Sequence, residues 1–320
     1  MSTIIELAAG SNDTTSFGSG VNQALNVEAQ EVFEIKETVA NLRTFAARYE
    51  KTSEQTVDLE KFGSQTLENG GDLEDGTDAT WTTIDNQSLV TFDTGFAISV
   101  GFKLTPKLLR QARQNPQSFM ERYRRKIAFD LARKEDTYIA SYLINNATNA
   151  VYAGTATSDA TLATGSVMTI ELFEQMVDDI KDREYEPTDF LGTVKIIGQL
   201  RRDARLLNNS DFSIAIKEDG STVTTIGNVT VQEIKGTTII PNYAIAAGGS
   251  GTHGIMMDRD GAFGVVDFLK DEGASPVSIS VGKPDPTLSG ANYHRILGQE
   301  ELQTKILDDN SLTIVHVSRE

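Results

Sequence analysis

The sequence predicts an α+β fold, and three observations predict it. One stretch of about thirty residues, opened by Asn115-Pro116, contains no glycine or proline and has helical spacing throughout. After Asn208-Asn209 the pattern changes to short β-prone runs separated by glycine turns, and ahead of both lie polar, extended segments that lack cores of their own. A chain of 320 residues with 39% hydrophobic residues suffices for one large or two interleaved cores.

Met1 to about Ala29 is small and polar and reads as an arm. From Glu28 to Glu50, Val32, Ile35, Val39, Leu42 and Phe45 recur near helical spacing, which predicts a short amphipathic helix that docks on another surface. Thr52 to Phe102 reads as a long hairpin. Its β-prone runs, Thr56–Leu59 and Ser88–Val100, flank a glycine- and acid-rich end with Asp72, Glu74, Asp75 and Asp78.

The long helix runs from Asn115-Pro116 to Asn145-Asn146, roughly 45 Å at about 1.5 Å per residue. Phe119, Tyr123, Ile127, Leu131, Tyr138 and Tyr142 share one broad side, and Arg122, Lys126 and Arg133 share a narrow stripe. Beyond a polar linker, Ala147–Gly165, a second helix begins near Thr169 and buries Leu172, Phe173, Met176, Val177 and Ile180. Val194–Ile197 reads as a short buried strand and Gln199–Leu207 as a short helix. Turns follow at Gly227-Asn228, Gly248-Gly249 and Asp260-Gly261, with strand alternation in Val277, Ile279 and Val281. The last segment predicts a hairpin pairing Tyr293–Ile306 with Leu312–Val317 around Asp308-Asp309-Asn310.

The formal charge of −17 argues against nonspecific nucleic-acid binding by the whole surface, which needs a basic footprint. Lys103 to Lys134 is the exception, with ten basic residues and only Glu121 and Asp130 against them. The absence of cysteine excludes disulfides and thiolate chemistry. No apolar run is long enough to span a membrane, and no basic stretch precedes Ile4-Ile5, so a soluble product made in the cytosol is expected.

Motifs for chemistry are weak. Gly249-Ser250-Gly251-Thr252-His253-Gly254 matches the dinucleotide fingerprint in spacing, but Ile255-Met256-Met257 continues as a strand where a helix N-terminus is needed, so a flexible inter-strand loop is expected. The acidic cluster lacks the spacing of a helix-loop-helix calcium loop and reads as a solvated loop tip. His253, His294 and His316 have no zinc-binding spacing, and His316 reads as a packed strand residue. No nucleophile elbow or catalytic cysteine is present, so no enzyme, cofactor or metal is expected.

The succession of elements resembles the tailed-virus major capsid proteins of the Hong Kong 97 type from about residue 30 onward. Phe102-Lys103-Leu104-Thr105-Pro106-Lys107-Leu108-Leu109 is similar to the strand and turn before that family's spine helix, and Ala132-Arg133-Lys134-Glu135-Asp136 to its later turns. Met168–Lys181 followed by Val194–Leu207 resembles the opening of its axial domain. The resemblance implies an N-terminal arm at 1–50, an extended hairpin loop at 51–102 and a peripheral domain with spine helix at 103–149. An axial domain then spans 150–290, and return strands of the peripheral domain 291–320.

It further implies self-assembly through pentamers and hexamers into an icosahedral head around double-stranded DNA, located in the virion capsid and assembled in the host cytoplasm. The arm is too short for a fused scaffold, so a separate scaffolding protein is implied, with a portal and possible decoration proteins as further partners and no membrane. Phe62, Leu67, Leu73 and Trp81 are the candidates for burial between subunits; for Trp81, packing within the hairpin is the equal alternative. Arg122, Lys126 and Arg133 are candidates for the lumenal face, the competing reading being salt bridges across subunit contacts. Some members cross-link a loop lysine to an asparagine, but a structural role is preferred for Lys51 and Lys61. The alternatives are an encapsulin-like compartment with a protein cargo and, further off, an α/β enzyme with its site at Gly249–Gly254.

Overall fold

The computed structural model describes residues 29–37, 42–60, 89–94, 97–104, 114, 116–207, 212–216, 222–234, 243–244, 249–269, 274–282 and 294–319. Helix α1 occupies 29–37 and is followed by a 3-10 turn, Leu42–Phe45, and strand β1, Arg48–Thr52. β2 (Thr56–Glu60) and β3 (Leu89–Asp93) form an antiparallel hairpin base with Thr56 opposite Asp93. β4 (Ala97–Leu104) precedes helix α2 (Pro116–Asn146), whose proline stands at the first helical position, where the missing N–H costs nothing.

After the short strand β5 (Ala150–Tyr152), helix α3 spans Ile170–Lys181 and is capped by Thr169, whose hydroxyl accepts from the Leu172 N–H at 3.1 Å. β6 (Asp189–Thr193) runs directly into helix α4 (Val194–Leu207). The strands that follow are β7 (Phe212–Ile216), β8 (Thr222–Ile226), β9 (Val229–Ile234), β10 (Tyr243–Ala244) and β11 (Ser250–Met257). β12 (Phe263–Phe268), β13 (Val277–Gly282), β14 (His294–Ile306) and β15 (Leu312–Ser318) complete the chain.

Two sheets organise these strands. In the five-stranded sheet the 13-residue β14 pairs antiparallel with β4, β13 and β12, and β1 adds parallel to β12. In the eight-stranded sheet the order is β5-β15-β11-β6-β9-β8-β7, with β10 on β11. The central strands are buried on both faces, and alternation divides their side chains between two cores. Leu191, Ile255, Met257 and Ile314 face α2 and the five-stranded sheet, while Phe190, Met256, Val315 and Val317 face α3 and α4. A smaller cluster of Leu59, Phe92, Val266, Phe268 and Leu307 seats the hairpin base on the far side of β12. Among the described residues no helix is long and apolar enough to cross a membrane.

The long helix lies where the sequence predicts it, and of the predicted side Ile127 and Leu131 are buried with Tyr123 and Tyr138 packed against the core, but the buried stripe takes in further positions. The buried positions are Ile127 and Ala128, Leu131 and Ala132, Glu135 and Asp136, Ile139 and Ala140, then Leu143, a stripe repeating every four residues. Tyr138 and Tyr142 are only half-buried beside it. The alanines let the helix approach the sheet closely, and Gly298 of β14 completes the fit: a Cβ there would lie 2.7 Å from Ile127 Cγ2.

Four further expectations are corrected. The strand expected at Val194–Ile197 is the first turn of α4, the real strand being the preceding Asp189–Thr193. The loop expected at Gly249–Gly254 is mostly strand: Ser250 to Gly254 belong to β11, and a Cβ at Gly254 would lie 2.8 Å from Phe190 Cζ, so this glycine makes room for a core aromatic. The terminal hairpin does not form, because β14 stays in the five-stranded sheet and β15 inserts between β5 and β11 in the other. The turn at Asp308–Ser311 carries the chain from one sheet to the other. Finally, the hairpin expected over Thr52–Phe102 divides, since β4 leaves it to pair with β14.

Candidate functional site

The main concentration of buried chemistry lies where α1, the 3-10 turn, α2 and the five-stranded sheet meet. Lys36 enters from α1, Arg43 from the 3-10 turn, Tyr49 from β1, Glu135 and Asp136 from α2, Asp267 from β12 and Glu300 from β14. The charged members are almost completely removed from solvent. Lys36 Nζ contacts Glu135 Oε2 at 2.6 Å and also pairs with Glu300. Arg43 is the hub: its Nε donates to Glu135 at 2.5 Å, its two terminal nitrogens grip Asp267 at 2.8 and 3.0 Å, and Nη2 reaches Glu300 at 3.1 Å.

This two-pronged Arg43–Asp267 contact uses the planar guanidinium as lysine could not. The Tyr49 hydroxyl accepts from Arg43 and donates to Asp267, each at 2.6 Å. Asp136 accepts from the Leu42 N–H at 3.0 Å and so fixes the start of the 3-10 turn to α2. The Arg43 guanidinium also packs 4.6 Å from the Tyr49 ring centre, and the Lys36 ammonium 5.4 Å from that of Phe33.

The electrostatics are asymmetric. Burial pushes the Glu300 carboxyl up to about 7; Glu135 and Asp267 add to this, while Lys36 and Arg43 oppose it. Glu135 feels the same desolvation, but Lys36 and Arg43 outweigh it and hold this carboxyl below its ordinary range. Burial and the neighbouring Asp267 push the Tyr49 phenol far up, so it stays a hydrogen-bond donor. With two cations facing three carboxylates, the arrangement supports rigid attachment of the N-terminal segment.

Phe62, Leu67, Leu73 and Trp81 lie outside the described residues, as does the acidic cluster. Arg122, Lys126 and Arg133 are all exposed along α2. Lys126 pairs with Asp130 at 3.3 Å one turn on, and Arg133 borders an open groove with Ala97, Ile98 and Tyr138. Arg124 pairs with Glu31 and Arg125 with Glu121, so part of the basic stretch is neutralised within the chain. Lys51 sits 4.2 Å from the Phe33 ring centre and 3.6 Å from Glu37, a local packing role.

The sequence reading missed the buried network. Its one legible sign was in α2, where the every-fourth-residue buried stripe is filled at Glu135 and Asp136 by acids. The reading also kept the histidines apart, whereas His253 and His316 are cross-strand partners.

No protein-family model and no curated protein sequence matches the chain. Solved structures do match. The capsid of Ralstonia phage GP4 is similar at a TM-score of 0.54 and 14% identity, covering 90% of this chain and 91% of that one. The head structure of Helicobacter pylori bacteriophage KHP40 gives 0.53 and 11%, over 85% and 87%. The SrpI encapsulin complex from Synechococcus elongatus gives 0.54 and 14%, over 88% and 91%. The chain thus has the Hong Kong 97-type fold, an architecture found in phage capsids and in an encapsulin.

Proposed function

We propose that the chain is a shell subunit, the major capsid protein of a tailed virus, which assembles through pentamers and hexamers into an icosahedral head around double-stranded DNA. The observation that carries this reading is likeness over about nine tenths of both chains to the Ralstonia phage capsid. The role is mechanical, without catalysis, and the buried network supports it by fixing the segment at 29–52 to the spine helix and sheet. Identical subunits joined head to tail close as rings, which gives the pentamers and hexamers. The resemblance adds a separate scaffolding protein and a portal as partners, and a shell of this kind can also carry decoration proteins. The virion capsid is the location, with assembly in the host cytoplasm.

Arg122, Lys126 and Arg133 face the lumen in this reading and soften repulsion of the packaged genome without reading its sequence. Changing all three to glutamine should lower DNA content per particle while leaving the yield of shells unchanged. Defective assembly with normal packaging would instead assign them to subunit contacts.

The second reading, an encapsulin-like compartment, is favoured by the equal likeness to the Synechococcus complex. Particle contents separate the two. Nuclease-protected DNA supports the viral head, and a packaged protein without DNA overturns it in favour of the compartment.

A further inference from the structure

We propose that Asp159, His253 and His316 form a binding site for one divalent transition metal of the zinc class. His253 on β11 and His316 on β15 are directly opposite in the antiparallel ladder, and their rings meet edge to face with centres 4.4 Å apart. Asp159 comes from the 3-10 turn Asp159–Thr161 between β5 and α3, and its Oδ1 lies 2.5 Å from His316 Nδ1. One donor atom from each residue lies within 4.8 Å of the other two. Four-coordinate zinc holds its ligands about 3.4 Å apart, so the Asp159–His316 contact has to open by about 1 Å to admit the ion. Asp159 can supply this movement, because its side chain is 42% exposed on a surface turn, whereas the strands hold the two imidazoles.

The surroundings suit a metal. Tyr152 of β5 stacks on His316 at 4.3 Å, with the rings inclined by 25°, which fixes the plane of that imidazole. Burial, then the neighbouring His316, pushes His253 down to about 3; burial also lowers His316, against the pull of Asp159. Both are therefore neutral at pH 7, the form that ligates metals. Two imidazoles and one carboxylate suit zinc and its neighbours, and they are a poor match to calcium or magnesium, which take oxygen ligands. The exposed side of Asp159 gives an entry path and room for a water as fourth ligand. Occupied, the site clamps the 158–161 turn onto the β5-β15-β11 edge of the sheet. This inference does not depend on the shell reading.

The test uses the full chain, stripped with a chelator and then titrated with Zn²⁺ by calorimetry. One zinc should bind per chain, and zinc-edge X-ray absorption of the wild-type complex should show two imidazole ligands. His253→Ala and His316→Ala should each weaken zinc binding by about tenfold or more, and Asp159→Asn, on an exposed side chain, should weaken it without unfolding the protein. His294→Ala, which alters the third histidine of the sequence, should leave it unchanged. Absence of saturable binding, a spectrum without two imidazoles, or equal affinity in the Asp159 variant would overturn the assignment.

Discussion

Lys36 and Arg43 bring two positive charges to three buried carboxylates, Glu135, Asp267 and Glu300, and the mismatch determines how the region responds to change. Removing one partner from a buried ion network leaves the others desolvated and unpaired, at a cost of about 3–5 kcal/mol. Arg43→Met should lower the unfolding free energy of the unassembled subunit by that amount in urea titrations. A loss below about 1 kcal/mol would mean that Arg43 is not the hub. The proton balance gives a second prediction. Because the folded-state pKa of Glu300 is raised to about 7 from its ordinary 4.5, the folded protein binds more protons than the unfolded chain between these values. The stability that Glu300 contributes is therefore full below pH 4.5 and is lost as pH rises through about 7, with a slope of up to ~1.4 kcal/mol per pH unit. Wild-type stability minus that of Glu300→Gln should fall across this window. A difference that is flat or rises with pH would contradict the assignment.

At the scale of elements, the seat of α2 on β14 depends on Gly298, where a Cβ would lie 2.7 Å from Ile127 Cγ2. Gly298→Ala should cost about 1–3 kcal/mol by overpacking, and Ile127→Ala, which removes the Cγ2 methyl, should cost less in that background than in the wild type. Purely additive effects in a denaturation double-mutant cycle would show that the two do not touch. Elements of this kind were unevenly legible in the sequence. Pro116 and the absence of breakers marked α2, and Thr169 with its apolar spacing marked α3, since both signals are local. Val194–Ile197 misled because three β-branched residues within four positions, interrupted only by Lys195, suit a short strand or a helix turn equally. Thr193 resolves the ambiguity: its hydroxyl lies 3.5 Å from the Ile196 N–H, at the start of α4. The Asp308 turn was visible, but a turn fixes only a local change of direction and not which strands then pair. The ion network was hidden because its members are drawn together from positions between 36 and 300 by the topology, and no spacing encodes that.

Across the whole molecule, the N-terminal segment and the hairpin base are tied to the same sheet by different means. Charges hold the first at Arg43, while Leu59 and Phe92 hold the second, supported by the Gln303–Asp93 hydrogen bonds and by Lys305, which donates to the Thr91 carbonyl at 2.6 Å. Replacing 63–78 by a short turn should therefore leave the subunit folded by circular dichroism, because none of these contacts is removed, yet prevent closed shells in negative-stain images. Normal shells from this deletion would show that the loop is not an assembly element. The central claim, that this chain builds a shell, is tested most directly by electron microscopy of particles purified from cells that express it. The account predicts closed icosahedral particles built of pentamers and hexamers of this chain; a population that remains monomeric, with no closed particles under any assembly condition, would contradict it.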